Sequence, residues 1–165
     1  MKTTFNLMSI SLAVALTTAI TPSAQAQTAA TKPTVAHSAE QARQNKALVL
    51  KAYQELFGDH DLGALDRYWA ATYIQHNPYI TDGTDSVKQY VQKLGLLNAP
   101  KSKVEFLRVA AEGDLVFLQT RQPAMRGNPE MVIVDIFRVE KGKIAEHWDV
   151  MQAVPADAVN KRPMY

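Results

Sequence analysis

The chain has 165 residues, 47% hydrophobic and 21% charged, with 7 Gly, 8 Pro, no Cys and a formal net charge of +2. That length suits one domain, and the near-average composition excludes collagen, coiled coil and wholesale disorder. The lack of cysteine excludes a disulfide framework, a zinc–thiolate site, an iron–sulfur cluster and a cysteine nucleophile. A charge so small and unclustered does not make a nucleic-acid surface.

The N-terminus reads as an export signal. Lys2 is the only charged residue before Lys32, and an apolar run follows from Leu7 to Ile20. Pro22 stops any helix, and Ala24-Gln25-Ala26 offers a small-x-small cleavage site. This three-part plan predicts a secretory signal peptide over 1–26, cut after Ala26. The run falls short of the roughly twenty apolar residues that span a bilayer, so no membrane span is expected in the mature protein. Export without cysteine fits a periplasmic or secreted location. Residues 27–38 are rich in Ala, Thr and Pro without periodicity and read as a flexible leader.

A domain over 39–155 follows, with a loop-like tail over 156–165. Ser38 and Gln41 have capping-box spacing ahead of a first helix, whose apolar positions are Ala42, Val49, Ala52, Tyr53, Leu56 and Phe57. Gly58 ends it. Asp61 can cap a second helix with Leu62, Leu65, Tyr68 and Trp69 on one face. YIQHNP (73–78) is a short extended segment, and ITDGTD (80–85) is turn chemistry. A third helix runs from Ser86 to Leu94. From Lys103 the period becomes two: 103–112, 114–122, 131–140 and 143–152 read as strands, the last two joined by a tight turn at Lys141-Gly142. The order α-α-β-α-β-β-β-β predicts an α+β fold, with three helices packed on a curved antiparallel sheet. Incomplete cover of the concave face opens a cone-shaped pocket.

Polar residues at apolar positions mark the candidate site. Asp135 lies in the middle of MVIVDIFRV (131–139), a run that reads as buried on both faces. A carboxylate there must find a partner or hold its proton. It is either an ion pair with a nearby Arg or His, or an acid poised for proton transfer. His147 and Asp149 share one face of the last strand. A strict two-residue turn sets Asp135 opposite Trp148; a three-residue loop with a bulge sets it opposite His147, with Asp149 on the same concave face. His76 and Asn77 precede Pro78. Gln119 and Arg121 face one way on the second long strand, where Arg121 can hold an anionic oxygen or neutralise Asp135. Tyr53 sits on the first helix with a hydroxyl that needs a partner if buried. No tight ligand spacing links His76, His147, Asp149 and Asp135, so no metal is expected. There is neither a nucleophile elbow nor a phosphate-cradling glycine loop, and basic residues do not interleave with aromatics as in nucleic-acid binders.

YIQHNP, the following Asp82-Gly83 and VDIFRVEKGKIAEHWDVMQ (134–152) resemble the SnoaL-like polyketide cyclase family, within the cone-shaped superfamily of nuclear transport factor 2. The likeness spans about residues 40–155. It implies a cone-shaped α+β barrel and a homodimer formed through the open side of the sheet. By resemblance to the cyclases, Asp135 is the acid/base of an intramolecular aldol closure. Asn77 and Gln119 are polar pocket residues, and Arg121 stands where a cyclase carries a pocket His. The layout is also similar to ketosteroid isomerase, where an oxyanion-stabilising Asp falls on Asp135 and a Tyr on Tyr53. That enzyme's base falls on Asn77, a departure that argues against steroid isomerisation. The resemblance favours the register that brings His147 and Asp149 to the concave face.

The function expected is therefore an exported small-molecule enzyme needing no cofactor. Asp135 and His147 would be catalytic, with Tyr53, His76, Asn77, Gln119, Arg121 and Asp149 binding a small apolar carbonyl compound. The rival readings are a periplasmic protein that binds a ligand in the same pocket without turnover, and a structural or assembly module.

Overall fold

The switch of hydrophobic period near Lys103 marks the start of the last four strands in the computed structural model, which describes residues 35–125 and 127–165. The signal peptide and most of the leader lie outside these residues. Helix α1 (Val35–Tyr53) starts before Ser38, which therefore stands within the helix rather than at its cap. Gln41 turns instead to Asn45, its Nε2 donating to Oδ1 at 2.9 Å.

A π-type turn over Gln54–Gly58 continues α1 and widens its end, the Asp59 N–H reaching back five residues to Gln54 O at 2.9 Å. Gly58 is required there, because a Cβ would lie 2.6 Å from the Ser102 carbonyl oxygen. Gln54 ties this turn to the entry of the sheet, donating to Ser102 O at 3.0 Å and accepting from Val104 N at 2.9 Å. Helix α2 (Gly63–Tyr68) begins as Asp61 Oδ1 accepts the Gly63 N–H at 2.8 Å, the capping chemistry expected of that residue. Trp69 is not on α2 but opens strand β1 (Trp69–Gln75). Helix α3 (Thr84–Lys93) follows the turn, and a single 3-10 turn over Leu96–Asn98 leads out of it.

Strands β2 (Glu105–Glu112), β3 (Leu115–Gln122), β4 (Met131–Glu140) and β5 (Lys143–Ala153) form an antiparallel meander. β1 joins its edge beside β5, giving the order β1-β5-β4-β3-β2. That pairing is parallel, so the sheet is mixed rather than antiparallel throughout. The chain reaches β1 before it makes the meander and so arrives in the same direction as the last strand.

The helices cover one face of this curved sheet. Val49, Ala52, Leu56, Leu65, Val87 and Val91 from the helical layer are buried with Val116, Leu118, Phe137, Val139 and Ile144 of the sheet. Each large side chain buried this way contributes about 1.5–3 kcal/mol, which outweighs the weak intrinsic stability of helices this short. β4 is buried mainly on the concave face, with Val132 the one buried position on the other. On its other face Val134 is exposed and Ile136 half-buried, which corrects the reading of a strand buried on both sides.

The β4–β5 register combines the two expected features in an unexpected way. The hairpin turn is strictly two residues, with Glu140 opposite Lys143 and both Lys141 (φ 51°) and Gly142 (φ 71°) left-handed, as a primed turn needs. Two residues on, Val139 pairs with Ile144 but Arg138 with Glu146, so Ala145 is an extra residue in β5. Beyond this bulge Asp135 stands opposite Asp149, and Phe137 opposite His147. Asp135 is therefore opposite neither Trp148 nor His147. The inserted residue nevertheless turns His147 and Asp149 to the concave face with Asp135.

Candidate active site

The open end of the cone holds a cavity of about 290 Å³, its walls largely apolar. Asp135 and His147 project from β4 and β5 into its floor, only 4% and 7% exposed. His147 Nε2 lies 2.9 Å from Asp135 Oδ1. The imidazole stacks on Phe137, ring centroids 4.5 Å apart, which fixes its plane. Tyr53, from the end of α1, donates its hydroxyl to Asp135 Oδ2 at 3.3 Å and stands 3.4 Å from Thr120 Oγ1.

The hydrogen-bond network fixes where the protons are. The backbone N–H of Asn77 can only donate, and it reaches Gln75 Oε1 at 2.9 Å. That oxygen is therefore an acceptor, and His147 Nδ1, 3.0 Å away, must donate to it. A neutral His147 then carries its lone pair on Nε2, facing Asp135. One proton lies between the two groups, either as a carboxylic acid donating to nitrogen or as an imidazolium donating to a carboxylate. Burial pushes the Asp135 carboxyl above its ordinary value; the hydrogen bond and charge of His147 oppose this, and the neighbouring Asp149 charge adds to it.

Asp149 lines the cavity beside this dyad. Both its oxygens accept from Asn77 Nδ2, at 2.9 and 2.8 Å. The Tyr79 N–H, donating to Asn77 Oδ1 at 2.8 Å, holds the carboxamide in that orientation. Asn77 thus stands behind Asp149 as a positioning residue and is not on the cavity wall, contrary to the expected role in binding substrate. Asp135, His147 and Asp149 each offer one atom within 4.8 Å of the others, and among the described residues they are the group that could hold a metal ion. The Nε2 lone pair and Asp135 Oδ1 are already joined through a proton, which a metal would have to displace.

Three other expected binding residues do not face the cavity floor. His76 lies on the outer side of the sheet, stacked on Trp148 at 4.8 Å and bonded through Nε2 to Glu146 at 2.8 Å. Tyr73 and Gln75 take the inward positions of β1, so the next residue turns out. Gln119 accepts from Arg108 at 2.7 Å on the outer face of β3. Arg121 reaches the rim, where Glu130 at 2.7 Å and Glu105 at 3.4 Å hold its guanidinium; it does not neutralise Asp135. Between them, Thr120 is the residue that points inward. Gln75 and Thr120 are site residues that polarity at apolar positions does not single out. Strand parity, carried from Tyr73 and from Val116-x-Leu118, identifies both.

A curved sheet half-covered by helices, with a polar floor in an apolar cone, defines the class of nuclear-transport-factor-2-like α+β folds. The chain belongs to the SnoaL-like domain family, whose model matches residues 50–147. Solved structures share the fold at low identity. Bal32a from a soil-derived mobile gene cassette is 20% identical, with TM-score 0.57, over 67% of this chain and 91% of its own. IdmH of Streptomyces antibioticus, provisionally named a polyketide cyclase, is 20% identical, with TM-score 0.51, over 66% and 91%. An LEH-like epoxide hydrolase of M. tuberculosis is 15% identical, with TM-score 0.54, over 67% and 84%. Comparison with curated proteins returned no match.

Proposed function

We propose that the protein is an exported, cofactor-independent enzyme that moves a proton at carbon beside a carbonyl, in aldol, cyclisation or enolisation chemistry. The observation that carries this reading is the 2.9 Å Asp135–His147 contact on the floor of an apolar cavity. With the shared proton on His147, Asp135 is a carboxylate whose basicity burial has raised. It takes the proton as the α-carbon–hydrogen bond breaks. The freed electron pair forms the carbon–carbon double bond, and the carbonyl π pair moves onto oxygen. Return of the proton, or attack of the enolate carbon on a second carbonyl of the same molecule, completes an isomerisation or a ring closure. Tyr53 steadies Asp135, and Asp149 keeps its basicity high.

The outer sheet face supports a homodimer. Val134 and Val150 are directly paired there, the latter 71% exposed, and Phe117 pairs with Ile136 beside them. Such a contiguous apolar stripe on a sheet face fits a second copy of the chain.

The test is hydrogen–deuterium exchange at the α-carbon of small aryl ketones in heavy water, followed by NMR. Asp135→Asn should slow protein-dependent exchange by about 10²–10⁴-fold, the usual contribution of one positioned acid or base. Exchange that survives the substitution unchanged overturns the assignment. Binding of ketones with no exchange above background assigns the chain to the non-catalytic ligand-binding reading.

A further inference from the structure

Two hydrogen-bond donors on the wall of the same cavity have nothing to donate to. Trp69 and Tyr73, both from β1, line the cavity and are 5% and 3% exposed. Among the described residues, the Trp69 indole nitrogen is the one buried side-chain polar atom without a partner. Tyr73 is committed in one direction only. Gln75 Oε1 accepts from Asn77 and His147, so Gln75 Nε2 is the donor in its 3.0 Å contact with the Tyr73 oxygen. The Tyr73 hydrogen must then point elsewhere, and among the described residues it meets no acceptor.

The two donors belong together. Their rings meet edge to face at 6.5 Å, and the indole N–H comes near enough to pull on the phenol oxygen but lies outside hydrogen-bonding geometry, so both hydrogens stay available to a ligand. Burial pushes the Tyr73 phenol up against the pull of that indole N–H, and the Asp135 and Asp149 charges add to the push, so the hydroxyl keeps its proton. A buried donor left without an acceptor is destabilising, and a fold that leaves two side by side at a cavity wall retains a place for an oxygen.

We propose that Trp69 Nε1–H and Tyr73 O–H form a two-pronged cradle for one carbonyl oxygen of the ligand. The ligand class follows from the surroundings. Asp149, beside an Asp135–His147 pair without net charge, disfavours a carboxylate or phosphate, and the apolar walls select a hydrophobic body. The occupant is a neutral, largely apolar ketone or ester. Where that oxygen belongs to the carbonyl that is enolised, the same donors bond it more strongly as it gains charge. This last clause rests on the proton transfer proposed above; the binding claim does not.

The test uses the full chain and an isosteric pair, 2-acetylnaphthalene and 2-isopropenylnaphthalene, which differ in a carbonyl oxygen against a methylene. The chain has 2 tryptophans, so ¹⁵N-indole spectra carry Trp69 and, on the outer face, Trp148 as an internal control. The ketone should bind about tenfold more tightly than the alkene, as two neutral hydrogen bonds imply. It should move the Trp69 N–H resonance downfield and leave Trp148 in place. Trp69→Phe and Tyr73→Phe should each cut the ketone preference several-fold while alkene binding holds. Equal binding of the two compounds, equal loss for both in the variants, or no binding of either overturns the cradle. Asp135→Asn separates the two ideas: it should slow exchange by about 10²–10⁴-fold and keep the ketone preference.

Discussion

Asp135 and Asp149 stand directly opposite each other across β4 and β5, yet they are held by different chemistry. His147 and Tyr53 grip the first, and the carboxamide of Asn77 grips the second. Two carboxylates so placed resist sharing negative charge, and the more buried of the pair carries the raised proton affinity.

That relationship is testable at Asp149. Asp149→Asn removes the like charge without changing shape, so the Asp135 carboxylate forms more easily. The acidic limb of the pH profile for α-carbon exchange should move to lower pH, with a slower plateau because the base is weaker. A limb that stays in place, or moves up, contradicts the coupling.

Asp135 also makes stability depend on pH. Its folded-state value lies above its ordinary one, so the folded protein binds the proton more tightly than the unfolded chain does. The contribution is fully present below the ordinary carboxylate range and is lost as pH rises through the folded value. The groups facing it are His147, Tyr53 and Asp149. Asp135→Asn has no such proton to lose. Its melting temperature relative to the parent should rise as pH increases from 4 to 7. A constant difference across that range would refute the raised value.

Gln75 joins three parts of the site, accepting from Asn77 and His147 and donating to Tyr73. Gln75→Leu leaves a buried histidine N–H without an acceptor, at a cost of about 2 kcal/mol. Denaturant unfolding should show a loss of that size. The His147 side chain should lose its fixed tautomer, visible in the ¹⁵N shifts of its ring. An unchanged tautomer would mean that Gln75 does not orient it.

Chelation provides an independent check on the chemistry. Exhaustive treatment with EDTA should leave α-carbon exchange and melting temperature as they were. Loss of exchange that returns with a divalent ion would instead assign Asp135, His147 and Asp149 to a metal.

Much of the layout was legible because hydrophobic period reports directly on burial. Val49, Ala52, Leu56, Val87 and Val91 repeat at helical spacing and fill the core, and the period-two run from Lys103 forms the meander. Asp135 betrayed itself as a carboxylate where a strand wants an apolar residue. The parallel place of β1 was hidden, because edge pairing between distant strands leaves no local trace. His76, Gln119 and Arg121 attracted notice for their polarity, although inward Gln75 and Thr120 on the same strands already fixed which way their neighbours face. The apolar stretch around Asp135 misled in another way: Val134 and Ile136 are hydrophobic on the open face of the sheet, where burial within one chain cannot explain them.

Ala145 carries a consequence out of proportion to its size. It is one surplus residue in β5, and it alone reverses which side chains beyond it look inward. Drawn into the ladder as an ordinary paired residue, it would slip the rest of β5 by one position, present Trp148 to the cone and send the imidazole and its neighbouring carboxylate out to water. Excision of the residue would instead keep the facing, because Glu146 would then follow Ile144 directly and still lie opposite Arg138.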